Sequence, residues 1–455
     1  LASRRSLFDS RSQNHELQFI SPLKQWLNGK FDMVAGLYYF AEDFGLGEKL
    51  NMGTSYCNVL VPAGAGRTAC NAYLTSTGGV AATNQNVFQN VKSFAAYSQG
   101  NVHLTDQLTL TLGGRWTNDK KSGTFAQASS PFTQALRATE ALTFPSIDES
   151  RFTYRVSLNY KPTKDVLLFA NYSTGYKSGG YNSGGGSPAL TVVGGVSQPD
   201  RRVFAPETVQ NYELGIKSSW LDRKLKLNLT LYRMDIAGFQ DRAFDGVSFI
   251  VRNAGSLRQQ GFEFDTVIAP VRNFSLTGSL AYLDSKFTDY ANGAGLPGCA
   301  PVGGVIPAVC ANLPFQGQQQ NLTGQPNTFS PKWSGNVAAD WSGNFGSGGL
   351  GWALNANVSF VSSQYVGTSL DANPQTLASG YALLGARATI HGKDDRWSFS
   401  VFALNLTDEN YSPLAVNQPL AGPLGLNNGV FAGSTAIRIQ VSEPRTWGAS
   451  ASFRF

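Results

Sequence analysis

Residues 151–161 read RFTYRVSLNYK, in which apolar and polar side chains alternate without a break. Successive side chains of a β-strand point to opposite faces of the sheet, so this stretch predicts a strand with one apolar and one polar face. One face carries Phe152, Tyr154, Val156, Leu158 and Tyr160, and the other carries Thr153, Arg155, Ser157, Asn159 and Lys161. A fold built from such strands must either pack the apolar faces together or expose them to lipid.

The same alternation recurs along the whole chain. FSLTGSLAY at 274–282, WALNANVSF at 352–360 and RTWGASASFRF at 445–455 repeat it. We count about fifteen such segments. They lie near 15–22, 31–42, 91–104, 108–121, 149–160, 166–178, 205–219, 224–240, 249–268, 274–288, 328–343, 351–366, 379–391, 396–407 and 445–455. The pattern predicts an all-β protein.

The connections between these segments alternate between tight turns and long loops. The turns lie at 105–107, 161–165, 220–223, 270–273 and 392–395, and the loops cover 43–90, 122–148, 179–204, 289–327 and 408–444. This arrangement is typical of an antiparallel up-and-down barrel with long loops outside the cell and short turns inside.

Composition and strand length place the apolar faces in lipid. Charged residues are 15% of the chain, against about 25% in soluble domains, and no apolar run approaches the roughly 18 residues of a membrane helix. A strand of about 11 residues, tilted near 40°, covers roughly 28 Å of bilayer. Because only a closed barrel satisfies every backbone group in lipid, we predict a transmembrane β-barrel with a polar interior. A soluble sandwich or a propeller is the alternative, but the sequence shows no fixed repeat.

Aromatic residues recur at the ends of the segments, where barrels place the girdles that lie at the membrane surfaces. They are Trp116, Tyr160, Trp352, Trp397, Trp447 and Phe455.

The four cysteines form two local pairs, Cys57 with Cys70 and Cys299 with Cys310, each in a loop rich in Gly, Pro and Ala. Neither pair has CxxC spacing or a nearby His, so two disulfides are favoured over a metal site or four free thiols. Each would stabilise its loop by about 3 kcal/mol and requires an oxidising compartment.

The net charge of +6 is spread over 455 residues. No basic cluster indicates a nucleic-acid partner, and no motif indicates a metal or another cofactor.

Several segments resemble the β-barrel of TonB-dependent outer-membrane receptors. They are LTLGGRWTNDKK (110–121), VLLFANYSTGYKSGGYN (166–182), the stretch 204–240 that contains PETVQNYELGIK, VRNAGSLRQQGFEFD (251–265), FSPKWSGNVAADW (329–341) and FALNLTDENYSP (402–413). The terminal Phe455 is similar to the signal that the barrel-assembly machinery of such membranes reads. The resemblance implies location in the outer membrane of a Gram-negative cell.

Receptors of this family have 22 strands and an N-terminal plug, preceded by a segment that engages TonB. We therefore interpret residues 1–455 as a receptor barrel that lacks the plug and the first strands.

The resemblance implies TonB-energised uptake of a scarce solute, with a ferric siderophore as the first expectation. Vitamin B12, thiamin, haem or an oligosaccharide taken up by the same mechanism is the alternative, as is a passive porin-like channel. Aromatic and cationic side chains in the long loops suit an anionic or sugar ligand. The candidates are Tyr176, Lys177, Tyr181, Arg201 and Arg202. Packing within the loops is the alternative role for each.

An enzyme is not expected. The three histidines, His15, His103 and His391, are predicted near periplasmic strand ends, on strands far apart in order, where no Ser-His-Asp triad can face the outer surface. No HExxH, GxSxG or P-loop motif occurs, so no catalytic residue is assigned.

Overall fold

The computed structural model describes residues 2–23, 26–134, 137–182, 192–193, 196–197, 202–244, 249–291, 293–294, 319–346, 348–417 and 437–454. Fifteen long strands dominate it. They are β1 (Ala2–Ile20), β2 (Phe31–Met52), β3 (Thr83–His103), β4 (Leu108–Ser129), β5 (Ile147–Thr163), β6 (Val166–Lys177), β7 (Glu207–Trp220), β8 (Leu225–Phe244), β9 (Phe249–Val271), β10 (Phe274–Asp289), β11 (Trp333–Phe345), β12 (Leu350–Val361), β13 (Tyr381–His391), β14 (Trp397–Leu404) and β15 (Thr446–Phe453).

Each strand pairs with its neighbours in the sequence, and every one of these pairings is antiparallel. The order runs from β1 to β15 without a crossover, and the short strand Glu140–Thr143 adds to β4. The prediction of an antiparallel up-and-down sheet of about fifteen strands is confirmed. Among the described residues, no ladder joins β1 to β15, so the sheet has two edges.

Several strands are longer than the alternation indicated. The predicted loop 43–90 is partly strand, because β2 continues to Met52 and β3 begins at Thr83. The predicted loop 122–148 is corrected in the same way, since β4 reaches Ser129. In the extension 83–90 polar residues lie on both faces, so the period-two signal is lost there. In the extension of β2, Phe44, Leu46, Leu50 and Met52 still alternate with polar or glycine positions.

Smaller elements occupy the connections at the long-loop end. They are the helices α1 (Tyr56–Leu60) and α2 (Ala65–Thr77), the 3-10 turn Pro374–Thr376, and the paired short strands Gly180–Tyr181 with Val203–Phe204, Val192–Val193 with Val196–Ser197, Gly293–Ala294 with Gln319–Gln320, Gln364–Tyr365 with Leu377–Ala378, and Leu414–Asn417 with Ile437–Gln440. A second 3-10 turn, Lys393–Asp395, lies at the short-turn end.

The apolar side chains of the strands are exposed on one face of the sheet, here called the outer face. Phe152, Leu158 and Leu214 are 64%, 42% and 58% exposed, and Phe453 at the last strand is 68% exposed. An apolar face that continues over so many long antiparallel strands is typical of the lipid-facing belt of a membrane barrel. The three clusters of buried apolar residues are built around the loops and the loop-end parts of the strands instead.

Aromatic residues border this belt at both ends. Tyr172 lies between Tyr154 and Tyr212, with ring centres 5.7 and 4.9 Å away. Trp341 and Trp352 meet edge to face at the short-turn end, 5.2 Å apart. These rows have the arrangement of two interfacial girdles. Of the residues predicted to belong to them, Phe455 lies outside the described part of the chain.

Glycines let aromatic rings lie flat on neighbouring strands. Gly36 of β2 lies opposite Tyr97 of β3, and a Cβ at Gly36 would fall 2.5 Å from the Tyr97 hydroxyl. The same close approach joins Gly343 to Trp352. Part of the high glycine content therefore serves cross-strand packing with aromatic rings.

The disulfide predicted between Cys57 and Cys70 is present and joins α1 to α2, with 5.6 Å between the Cα atoms. Met52 and Tyr56 pack around it, and both sulfur-bearing side chains are fully buried. Cys299 and Cys310 lie outside the described residues, so their pairing stays a prediction.

Candidate ligand-binding surface

Tyr176 lies near the loop end of β6, where a carboxylate fixes its orientation. Its hydroxyl donates to Glu149 at 2.8 Å, and the amide of Gly179 donates to the same carboxylate at 3.2 Å. The guanidinium of Arg151 lies 5.9 Å from the centre of the Tyr176 ring. Burial, together with the Glu149 carboxylate, raises the pKa of Tyr176, so the phenol stays protonated and acts as a donor.

Lys177 follows at the exposed end of β6 and lies opposite Glu207 of β7. Its ammonium is therefore open to solvent at the rim. Of the predicted ligand residues that the structure describes, it is the most accessible cation.

Arg202 is placed differently, because it is 1% exposed. Its guanidinium pairs with Glu140 at 2.5 Å and donates to the carbonyl of Asn182 at 3.1 Å. A buried cation of this kind needs such partners, and Arg202 therefore holds two loops together. Arg201 lies outside the described residues.

Tyr181 belongs to the same loop layer. Its ring stacks on Phe144 with centres 4.4 Å apart, and its hydroxyl donates to the carbonyls of Lys121 and Pro145. The ammonium of Lys121 donates in turn to the carbonyl of Gly179, which connects Tyr181 with the Tyr176 region. Ligand contact by Tyr176, Lys177, Tyr181, Arg201 and Arg202 stays a prediction.

Sequence reasoning missed Glu149, Lys121 and Glu140, which organise this surface. Glu149 and Lys121 face inward on β5 and β4, and the alternation alone could have placed them on the polar face. Glu140 gave no such signal, since its pairing with Arg202 spans 62 positions of the chain.

A second group of polar residues lines the inner face of β1 to β6. The guanidinium of Arg115 lies 5.5 Å from the ring centre of Tyr38 and 5.6 Å from that of Tyr97. The Tyr97 hydroxyl donates to Glu16 at 2.6 Å. Arg155 donates from Nε to Asn171 at 2.8 Å. These contacts confirm the prediction of a polar inner face.

His103 and His391 are the last residues of β3 and β13 at the short-turn end, as predicted, whereas His15 lies within β1, opposite Tyr39 of β2. His103 Nε2 is 2.7 Å from Asp32, and its Nδ1 is 3.1 Å from the Thr109 hydroxyl. His15 and His103 are separated only by β2, so the prediction that all three lie on strands far apart was wrong for this pair. His391 lies 2.8 Å from Asp395.

Within the described ranges, no group of three or more His, Cys, Asp or Glu side chains could hold a metal ion. No helix in the same part of the chain is both long and apolar enough to cross a membrane, and this finding does not bear on crossing by strands.

Residues 3–406 match the family model described as "TonB dependent receptor-like, beta-barrel". The chain belongs to this family of TonB-dependent receptors. This membership and the exposed belt place the barrel in the outer membrane of a Gram-negative cell. The family is one of receptors and transporters and not of enzymes.

Two curated members illustrate the relationship. The chain is 25% identical over 199 residues to the probable TonB-dependent siderophore receptor PiuA of Acinetobacter baumannii, covering 44% of this chain and 24% of PiuA. It is 24% identical over 335 residues to the ferric-pyoverdine M114 receptor PbuA of Pseudomonas sp. strain M114, covering 71% of this chain and 33% of PbuA.

Solved receptor structures share the fold. The ferric yersiniabactin uptake receptor FyuA of Yersinia pestis superposes with a TM-score of 0.68 at 17% identity, covering 100% of this chain and 55% of FyuA. The siderophore receptor PiuA of A. baumannii superposes with a TM-score of 0.63 at 17% identity, covering 98% of this chain and 56% of PiuA. The TonB-dependent receptor barrel described here therefore spans about half the length of these structures, and less of the curated relatives.

Proposed function

We propose that this chain is the barrel portion of a receptor that takes up a ferric siderophore across the outer membrane with energy from TonB. Family membership is the observation that carries the proposal. The relatives named above, which are receptors for siderophores or ferric pyoverdine, support the substrate class. Vitamin B12, thiamin, haem and oligosaccharides are the other solutes to test.

The same proposal includes a longer parent protein, in which a plug and further strands precede residue 1. The two edges of the described sheet support it, because an open edge at the level of the lipid leaves backbone groups without partners. Within that parent, TonB would act on the preceding region, the barrel-assembly machinery would read Phe455, and membrane lipid would cover the outer belt.

Uptake of radioactive iron tests the function directly. We expect a strain without the gene to lose uptake of one ferric siderophore and a strain without TonB to lose it equally. Uptake that survives loss of TonB, together with swelling of receptor-containing liposomes in small sugars, would indicate a passive channel instead. If iron uptake is normal and uptake of vitamin B12, thiamin, haem or a sugar is defective, the transported substrate is that solute and not a ferric siderophore.

The predicted ligand residues give a second test. Lys177→Gln removes an exposed charge at the rim and should weaken binding of the transported siderophore. Lys120→Gln is the matched control, because Lys120 is also exposed on a neighbouring part of the sheet and pairs with Asp148 at the surface. If both variants bind the siderophore with the same affinity, Lys177 does not contact the ligand.

A further inference from the structure

Residues 366–376, in the connection between β12 and β13, fold back onto a distant part of the sheet. In the sheet order β9 lies three strands away from β12, which corresponds to roughly 14 Å. The apolar side chains of this contact are Leu370 and Ala372 of the segment, with Ile236, Leu257 and Phe287 of β8, β9 and β10. The segment, here called the lid, therefore covers part of these three strands near the loop end.

The lid lies on the inner side of the barrel. Ile236, Leu257 and Phe287 are direct cross-strand partners and form one row. Leu231, five residues before Ile236 on β8, is 47% exposed on the outer face. An odd number of positions along a strand leads to the opposite face, so the covered row faces the interior.

The closed lid is well packed but holds unfavourable groups. Leu370 and Asp371 are 5% and 2% exposed. Ala372 has a φ of +46°, a left-handed conformation that is strained for alanine. The buried hydroxyl of Thr368 has no hydrogen-bond partner among the residues that the structure describes. The contacts with the wall must outweigh these costs, so a small change at the contact can open the lid.

A buried polar cluster lies beneath the lid. The side-chain amide of Gln320 donates to the carbonyl of Asp371, and the Tyr290 hydroxyl donates to Asp241 at 3.2 Å. Asp241 lies directly opposite Arg252 of β9. The groups that act on the Asp241 carboxyl are the Tyr290 hydroxyl, the Arg242 amide, the Arg252 charge and the Asp371 charge. One carboxyl of the wall and one of the lid thus meet in a site removed from water.

This arrangement makes closure depend on a proton. Burial is the main cause that raises the pKa of Asp241 to about 7, with a smaller contribution from Asp371. Opening the lid would hydrate the carboxyl and return its pKa toward 3.8. The closed lid therefore binds the proton more tightly than the open lid, so closure is favoured at low pH and is weakened as the pH rises through about 7.

We propose that residues 366–376 form a proton-controlled lid, which closes over the inner wall of β8, β9 and β10 when Asp241 is protonated and opens when that carboxyl ionises. The amide of Val366 donates to the carbonyl of Thr376 at 2.8 Å, so the two ends of the lid meet and the segment can move as one unit. Bonds of Val366 and Thr368 to Ala415 tie its base to the next connection. The lid goes beyond the proposed function, because it does not depend on which solute is transported.

Labelling of a buried cysteine reads the position of the lid without requiring transport. Ser369 is 5% exposed, so Ser369→Cys places a thiol of similar shape where the closed lid shields it. The full receptor is purified from outer membranes in detergent, and its reaction with a maleimide near pH 5 and near pH 7.5 is read at each cysteine by mass spectrometry. Ser379→Cys, exposed just beyond the lid, is the matched control for the pH dependence of the thiol itself. Ser157→Cys, buried on β5, reports any general loosening of the sheet.

We expect the labelling rate of Ser369→Cys, divided by that of Ser379→Cys, to rise by at least about tenfold between the two pH values. One released proton changes the opening equilibrium by up to about tenfold per pH unit. The rate at Ser157→Cys, corrected in the same way, should stay low at both. A corrected rate at Ser369→Cys that does not change with pH, or an equal rise at Ser157→Cys, would overturn the proposal.

Neutral variants identify the group that controls the lid. Asp241→Asn keeps an acceptor for Tyr290 but cannot ionise, so labelling of Ser369→Cys should stay slow at both pH values. Asp284→Asn is the matched control, because Asp284 pairs with Lys286 on β10 outside this cluster, and it should leave the pH response unchanged. A full pH response in Asp241→Asn, or its loss in Asp284→Asn, would assign the titration to another group and refute control by Asp241.

Leu370→Ala provides a result in the opposite direction. It removes an apolar contact with the wall and leaves the carboxyl in place, so labelling of Ser369→Cys should be fast already near pH 5 in a receptor with the same circular dichroism spectrum. Slow labelling in this variant would show that the segment does not open. None of these readings needs iron uptake, so failure of the lid and failure of the proposed function are separate results.

Discussion

The guanidinium carbon of Arg202 lies 3.7 Å above the centre of the Phe125 ring. The same side chain pairs with Glu140, and both charged groups are almost completely removed from water. An ion pair in such surroundings is stable only while both members are present, because either one alone would be a buried unpaired charge.

We therefore expect Arg202→Met to lower the free energy of unfolding by about 3–5 kcal/mol, whereas Arg202→Met combined with Glu140→Met should recover most of the loss. Urea unfolding in lipid vesicles measures both. The exposed pair of Lys120 with Asp148 provides the control, and Lys120→Met should cost less than about 1 kcal/mol. A double variant as unstable as the single one would contradict the pairing.

Asp241 predicts a dependence of stability on pH. It lies in the loop-side part of β8, beyond the belt, and accepts from the Tyr290 hydroxyl at 3.2 Å. Burial, with a smaller contribution from Asp371, raises the pKa of Asp241 from 3.8 to about 7, while the Tyr290 hydroxyl, the Arg242 amide and the Arg252 charge oppose the shift. The folded state therefore holds the proton more tightly than the unfolded state.

It follows that this contribution to stability is fully present below about pH 4 and is lost as the pH rises through about 7. The slope from one group is at most about 1.4 kcal/mol per pH unit. We expect Asp241→Asn to remove this component from the unfolding free energy measured between pH 4 and pH 8. An unchanged pH profile in the variant would show that Asp241 is ionised in the folded protein.

The disulfide between Cys57 and Cys70 should protect its own loop and not the sheet. Replacing both residues by Ser should destabilise the α1–α2 segment by about 3 kcal/mol, the entropy of closing a loop of this length. We expect thermolysin to cleave within residues 53–82 faster, while the unfolding midpoint of the sheet stays the same. A large drop in that midpoint would indicate that the loop supports the whole barrel.

The strands within the belt could be predicted from the sequence because lipid imposes a period of two on them. Phe152, Leu158 and their neighbours were assigned to one face from alternation alone, and that face is the exposed one. The strand extensions beyond the belt were missed for a different reason. Near Thr83 both faces carry polar residues, and near Met52 the loop helices, not lipid, cover the apolar face.

The same reasoning explains what was missed at the candidate site. A loop arginine such as Arg202 is usually exposed, and only its distant partner Glu140 makes burial possible. The residue that faces Arg115 across the sheet, Thr153, follows from the register of β4 against β5, which alternation does not determine. The sequence therefore predicts which face of a strand a residue occupies, whereas the structure is needed to show which residues pair across the sheet.

The orientation of the sheet has its own test in two neighbouring positions of β5. Val156 faces outward in the middle of the belt and is 40% exposed, whereas Asn159 faces the interior. An arginine at a lipid-facing position near the bilayer centre costs about 2–4 kcal/mol, while an arginine in the wet interior has no such desolvation penalty. Val156→Arg should therefore lower the unfolding free energy in lipid vesicles by that amount, and Asn159→Arg should change it by less than about 1 kcal/mol.

Because both variants add the same side chain to the same strand, strand propensity cannot explain a difference between them. A larger loss from Asn159→Arg than from Val156→Arg would mean that the apolar face packs in a dry centre, and the membrane assignment of the barrel would then be wrong.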